Sequence, residues 1–479
     1  MLTLKLAHEL KARGHEILVV AADPPDTDAR YAEGPEEEEF EYEGIPVHVM
    51  GERLRLTGYR FDWEYRHPAM RARFAAVIDR FEPDLVHVMH AQNLSASIIE
   101  EARERGLRVI LSPTDFWFIC PVVQLKRPDG AVCDGPGPGA RKCLTCYTPK
   151  LLPPASQVEE AFSKRSRSLG RLLALGLAGR LASALLYRLY LAMKSPDAAR
   201  ATVERPGVLV PVANSVQAIL VPTRLMKRLM VANGIAEKLI HHVPFGIDTD
   251  ELERHQEKKP SETLRIGYVG TLFEHKGVDI LIRAFQRLPE GADAELKIYG
   301  GCDQFPAYAD ELKALAASRK HAADKIRFLG TFANHLFSEI MSEVDVLVVP
   351  SRWYENTPLV MQSALATRTP IIATDLGGMA ELIDDGRSGY VFALNDDEDL
   401  GGKLAAIYHD RSILAGWRKN IGKQRTVKEM VDDIEKLYFE VGASGSGRLE
   451  RAASEALLKV DVAAPADKDS LRSAGGGGD

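Results

Sequence analysis

The chain has 479 residues, more than one hydrophobic core usually covers, so two sizeable domains are expected. Its apolar content of 45% and charged content of 27% are those of an ordinary globular protein. A formal net charge of −7 excludes a general nucleic-acid binder, because no excess of positive charge is available to displace counterions.

The opening stretch, LTLKLAHELKARGHE, reads as an amphipathic charged helix over 3–13 closed by Gly14, not as a secretory leader. It feeds a strand over 16–21. An α/β domain normally begins with a strand, so the first strand and its glycine-rich turn are expected to be missing. PEEEEFEYEG reads as an acidic loop and IPVHVM as a short strand. A helix over 67–81, the buried strand PDLVHVM, a helix over 94–105 ended by Gly106 and the strand LRVILSP follow. Such alternation predicts a parallel sheet with helices on both faces. Residues 120–150 interrupt it with a loop too rich in Gly and Pro for helix or strand. Residues 157–194 then look helical, and ANSVQAILVP with TRLMKRLMVANGI restores the rhythm. The domain expected over 1–248 is followed by the polar linker 249–263 and a second alternating series over 264–425. A closing helix over 426–441 and an Ala-, Gly- and Ser-rich tail, 442–479, expected to be disordered, complete the chain. Two doubly wound α/β domains would then face each other across a ligand cleft.

The chemistry concentrates in the second series. In VDVLVVPSRWYENTPLV, Thr357 suits an N-cap and Pro358 the first helical position, so the helix from Leu359 would turn free N–H groups toward an anion. Glu355, just upstream, could accept hydrogen bonds from sugar hydroxyls beside a diphosphate; the plainer reading is a surface residue capping the helix. In GYVGTLFEHKG, Lys276 opens a helix, where the dipole disfavours it unless an anion sits beside it.

GYVG…HKGVDILIRAF, KIYGG, IRFLGTF, VDVLVVPSRWYENTPLV and PIIATDLGGMAELI resemble, in order and spacing, the retaining glycosyltransferases of family 4, and RGHEILVV, PDLVHVMH, TDFWFICP and VPFGID extend the resemblance over roughly 1–441. The resemblance implies the GT-B fold, with two Rossmann-like domains, acceptor side first and donor side second. It implies sugar transfer from a UDP-, GDP- or ADP-sugar to a glycan or lipid-linked acceptor, with retention and no catalytic cofactor. Glu355 and Lys276 would be the catalytic pair. Gly270, Thr271, Asn356, Thr357, Leu359 and Val360 would help hold the donor sugar and diphosphate, with Ser363, Gly330, Thr331 and Phe332 at the ribose and base. His90, Thr114 and Asp115 would lie on the acceptor side. Three positions depart from the family pattern: Ser363 replaces its second glutamate, Thr271 an arginine and Thr114 a histidine. A catalytically silent nucleotide-sugar binder is the alternative those departures motivate. A nicotinamide oxidoreductase lacks its GxGxxG turn here.

Cys120, Cys133, Cys143 and Cys146 fall within 27 residues, and a CxxC pair among them suits a structural zinc. An iron–sulfur cluster, a disulfide or four unliganded thiols are the other readings. Residues 163–194 mix apolar runs with Arg165, Arg167, Arg171, Arg180 and Arg188, too many charges to span a bilayer comfortably. They fit peripheral association of a cytoplasmic protein with the membrane, or a helical pair packed on the first domain.

Overall fold

The computed structural model describes residues 2–22, 37–50, 61–147 and 196–442. The basic stretch over 163–194 and the tail from 443 onward lie outside the described residues. A helix, Leu2–Ala12, leads into β1 (Val19–Ala22), and β3 (Ile45–Met50) sits between β1 and β2 (Glu37–Tyr42), parallel to the first and antiparallel to the second. β2 occupies the acidic run that the sequence reads as loop. All six of its residues are exposed, so it carries no buried alternation to betray it. Its register is set instead by a tight hairpin turn at Glu43 and Gly44, whose φ angles of 48° and 76° are both left-handed.

β4 (Leu85–Val88), β5 (Arg108–Leu111), β6 (Ala218–Val221) and β7 (Ile240–His242) form a separate parallel sheet in that order. β1 and β4 do not pair, and β1 is only half-buried, whereas β6 is buried throughout. The core on one face gathers Met50, Ile99, Leu111, Trp117, Leu209 and Ile219. Leu209 belongs to a helix, Pro196–Ala213, that periodicity alone hides because Pro206 and Pro211 interrupt it. The Gly- and Pro-rich loop is less irregular than its composition suggests: Lys126 bridges Val132, and Cys143–Tyr147 closes a helical turn.

The second half holds six parallel strands: β8 (Leu264–Val269), β9 (Ala294–Tyr299), β10 (Ile326–Gly330), β11 (Val346–Val349), β12 (Ile371–Thr374) and β13 (Gly389–Phe392). Their order is β10-β9-β8-β11-β12-β13, so the winding reverses between β8 and β11. A crevice opens at such a reversal, outside the carboxyl ends of the strands. The segment before β8 is pinned to this half, because the half-buried Lys258 donates to the carbonyl of Met341 at 2.7 Å. Among the described residues no helix is long and apolar enough to cross a membrane.

The last helix, Val427–Gly442, returns to the first half, where Val431 and Ile434 pack with Leu6, Leu10, Ile110 and Leu220. It is fastened by His87, whose Nδ1 lies 2.5 Å from the Tyr438 hydroxyl and whose Nε2 lies 2.6 Å from Ser112 Oγ. Burial pushes the His87 imidazole down to about 4. An unfolded histidine takes its proton near 6.5, so as pH falls the unfolded chain is protonated first and the folded state loses stability between about 6.5 and about 4. The expected loss is about 3 kcal/mol, and His87→Gln should flatten the melting-temperature profile in that window. Parallel profiles for the two proteins would refute a buried neutral histidine.

The loop after β8 passes so close to β11 that a Cβ at Gly277 would lie 2.0 Å from the Pro350 carbonyl oxygen, and its φ is 69°. Gly277→Ala should therefore cost at least about 2 kcal/mol in denaturant unfolding. An unchanged midpoint would mean that the loop has room to move.

Candidate active site

Two loops meet at the strand-order reversal. The one after β8 carries Lys276 at the end of a 3-10 turn, Glu274–Lys276, and the one after β11 carries Glu355. Lys276 Nζ donates to Glu355 Oε1 at 2.6 Å. Trp353 Nε1 and Ser351 Oγ donate to the same oxygen at 2.7 and 2.9 Å. All three donors thus fall on Oε1, and Oε2 receives no hydrogen bond from the described residues. Burial opposes the charged carboxylate, but Lys276, Trp353 and Ser351 outweigh it and hold the group below the usual range. The lysine lies 5.3 Å from the centre of the Trp353 ring, so the indole supports both partners.

The backbone of the Glu355 crook is fixed from behind. A Cβ at Gly378 would lie 2.4 Å from the Glu355 carbonyl oxygen and 2.3 Å from that of Asn356, so only glycine lets the segment after β12 approach this closely. The following helix is Leu359–Ala366, as expected, but its N-cap is Pro358 rather than Thr357. The Thr357 hydroxyl donates to the Asn356 carbonyl at 2.7 Å, and its oxygen accepts from no helical amide. The first-turn amides of Leu359 and Val360 have no intrahelical acceptor and remain available to an anion. Ser363 shares their face, one turn on. At the neighbouring strand ends, Gly270 N–H donates to the Tyr299 carbonyl, and the Thr271 carbonyl accepts from the Tyr268 hydroxyl at 2.9 Å. Gly330 accepts from Gly300 N–H, Gly301 faces the Thr331 methyl, and Phe332 stands edge-on to Tyr299 at 5.4 Å.

The first half reaches into the same site. Asn356 Nδ2 donates to the Thr114 carbonyl at 2.7 Å, while its Oδ1 is buried without a partner among the described residues. Tyr354 packs edge-on against Phe116 at 6.3 Å. Asp115 accepts from Trp117 N–H at 2.8 Å and pairs with His90 at 3.3 Å; burial pushes its carboxyl up against the pull of His90. Glu381 crosses between the halves, accepting from the N–H groups of Arg224 and Leu225 at 2.8 and 2.7 Å, where the helix Arg224–Ala232 starts. Sequence reasoning missed Ser351, Trp353, Tyr354 and Glu381. The aromatic pair directly before Glu355 was the available signal.

Cys120, Cys133, Cys143 and Cys146 line one cavity of about 20 Å³ as free thiols. Burial pushes Cys143 up to about 12 and Cys146 up to about 11, and raises Cys120. Among the described residues no group of three or more His, Cys, Asp or Glu side chains is arranged to hold a metal ion, so the arrangement lends the zinc expectation no support.

The sequence profile "Glycosyl transferases group 1" matches residues 249–424, and "Glycosyl transferase 4-like domain" matches residues 2–141. D-inositol 3-phosphate glycosyltransferase of Stackebrandtia nassauensis is 30% identical over 203 residues, 41% of this chain and 44% of the relative. Phosphatidyl-myo-inositol mannosyltransferase of Mycolicibacterium smegmatis is 26% identical over 212 residues, 44% of this chain and 50% of the relative. These matches span about half of each relative's length. Among solved structures, a glycosyltransferase of Rickettsia africae superposes with a TM-score of 0.59 at 13% identity, covering 92% of this chain and 94% of its own. Sucrose-phosphate synthase of Thermosynechococcus elongatus does so with a TM-score of 0.58 at 15% identity, covering 92% and 93%. Anabaena HepE in complex with UDP and glucose gives 0.55 at 14%, covering 91% and 95%. The two profiles, the ordered strands and the loops that meet at their reversal agree: the chain belongs to the group 1 glycosyltransferases, is family-4-like, and has the GT-B fold.

Proposed function

We propose that the protein transfers a sugar from a nucleotide-diphosphate donor to an acceptor hydroxyl with retention at the anomeric carbon, in polysaccharide or glycolipid synthesis. The observation that carries this reading is the Lys276–Glu355 pair at the reversal between β8 and β11, beside the start of the helix Leu359–Ala366. Lys276 and the Leu359 and Val360 amides supply positive potential where a leaving diphosphate gains negative charge. Glu355 has Oε2 to offer a donor-sugar hydroxyl, and Asn356 Oδ1 is a second buried acceptor without a partner among the described residues. The diphosphate would leave on the face the acceptor attacks. A leaving oxygen would take the acceptor proton, so no side-chain base is needed. The silent-binder reading draws on Thr114, Thr271 and Ser363, which stand where the family has a histidine, an arginine and a glutamate.

UDP-, GDP- and ADP-sugars should be screened by thermal shift, starting with UDP-glucose because a protein of the same fold, HepE, is found with UDP and glucose. A donor at 100 times its Kd stabilises by about 2.7 kcal/mol. Glu355→Gln should shrink that gain and lower the transfer rate by about 10²-fold, the scale of losing one electrostatic contact to the transition state. Stabilisation without transfer to any acceptor would favour the silent binder. A product with inverted anomeric configuration, read by proton NMR, would sink retention.

A further inference from the structure

A second cavity, of about 1250 Å³, opens beside the site between the hairpin around Lys126–Val132 and the donor half. Small-ligand sites usually measure about 300–1,000 Å³, so this one has room for an extended molecule. Its wall carries the half-buried rings of Phe273, Phe305 and Tyr308. From there a ladder of rings runs inward. Phe305 lies 3.9 Å from Phe273 between ring centres, Phe273 lies 4.3 Å from His275, and His275 lies 4.1 Å from Trp353. Trp353 donates to Glu355 at 2.7 Å, so a run of tilted and edge-on ring contacts links the cavity wall to the support of that carboxylate. Burial pushes the His275 imidazole down to about 4, which keeps the ladder uncharged at neutral pH.

The charge on the walls selects the ligand. Three cationic side chains, Lys126, Arg283 and Arg352, line the cavity, and two of them are already engaged by Asp279, with Arg352 Nη2 at 2.7 Å and Arg283 also paired to it. Three further carboxylates, Asp129, Glu274 and Glu311, leave no surplus positive charge for a phosphate. A neutral polyhydroxylated chain meets both requirements. The C–H face of each ring is apolar and electropositive, suiting the negative face of Phe273 or Phe305, and its hydroxyls suit carboxylates and guanidiniums alike. We propose that this cavity binds the body of a neutral hexose oligosaccharide, the acceptor or growing chain whose end reaches Glu355. The inference rests on the glycosyl-transfer reading, because the ladder must end at a sugar-transfer site.

The test is calorimetric titration of the full-length protein with malto-, cello-, chito- and manno-hexaose, with the donor thermal shift measured in parallel. At least one hexasaccharide should bind with a Kd on the order of 1 mM or tighter. Phe305→Ala should weaken it at least tenfold. Ala307→Trp, which fills the cavity from an exposed position, should do the same without touching the core. Both variants should keep the donor shift. Binding unaffected by either variant would place the glycan elsewhere and overturn the proposal. No binding of any hexasaccharide, with the donor shift intact, overturns this proposal alone. Loss of both responses in the wild type removes the transfer reading and this one with it.

Discussion

The pairing of Lys276 with Glu355 is the contact around which the rest of the second half is arranged. With only 14% of its side chain exposed, the carboxylate has surrendered most of its hydration, and a single salt bridge would repay little of that. Three donors converge on one of its oxygens instead, which holds the group ionised and fixes the direction of the other oxygen. That geometry demands two close backbone passages, at Gly277 against Pro350 and at Gly378 against the Glu355 loop. The glycines are therefore part of the electrostatics, because any side chain there would push the partners apart.

The same pair depends on the first half of the chain. Asn356 and Tyr354, the neighbours of Glu355, anchor to the Thr114 carbonyl and to Phe116, and Glu381 caps a helix across the boundary. The closing helix then ties the end of the second half to Leu6, Leu10 and the sheet of the first half. The Glu355 crook is thus held from two sides, and its aim is a property of the whole chain.

Much of this was legible in the residues. The alternation of apolar strands and helices and the closing helix followed from pattern, and the choice of Lys276 and Glu355 as residues of interest followed from a strong family resemblance; their direct hydrogen bond did not. What escaped did so for physical reasons. Glu37–Tyr42 pairs as an exposed edge strand, so no burial pattern marked it; its turn residues were the only cue. Pro196–Ala213 carries two prolines that read as breaks, yet packing of Leu209 and its neighbours overrides them. The N-cap falls on Pro358 instead of Thr357, whose hydroxyl donates to the Asn356 carbonyl and accepts from no helical amide. Trp353 and Ser351 escaped because nothing in a linear pattern says that two further donors will point at the oxygen the lysine already holds.

The proposed donor site has a threonine, Thr271, where the family pattern has an arginine. On the proposed reading, with no arginine at position 271, the positive potential for a diphosphate would come from Lys276 and from the amides at the start of Leu359–Ala366. Because Lys276 is bound to Glu355, a phosphate held as proposed would share the lysine with that carboxylate. Sharing is feasible because Trp353 and Ser351 continue to hold Oε1 when the lysine swings toward an anion. In the proposed reaction the carboxylate would then keep two donors and its orientation while the lysine serves the leaving group. A glutamate with the lysine as its sole partner would lose that orientation as the diphosphate arrived, so the indole and the serine hydroxyl are what allow one lysine to serve both charges.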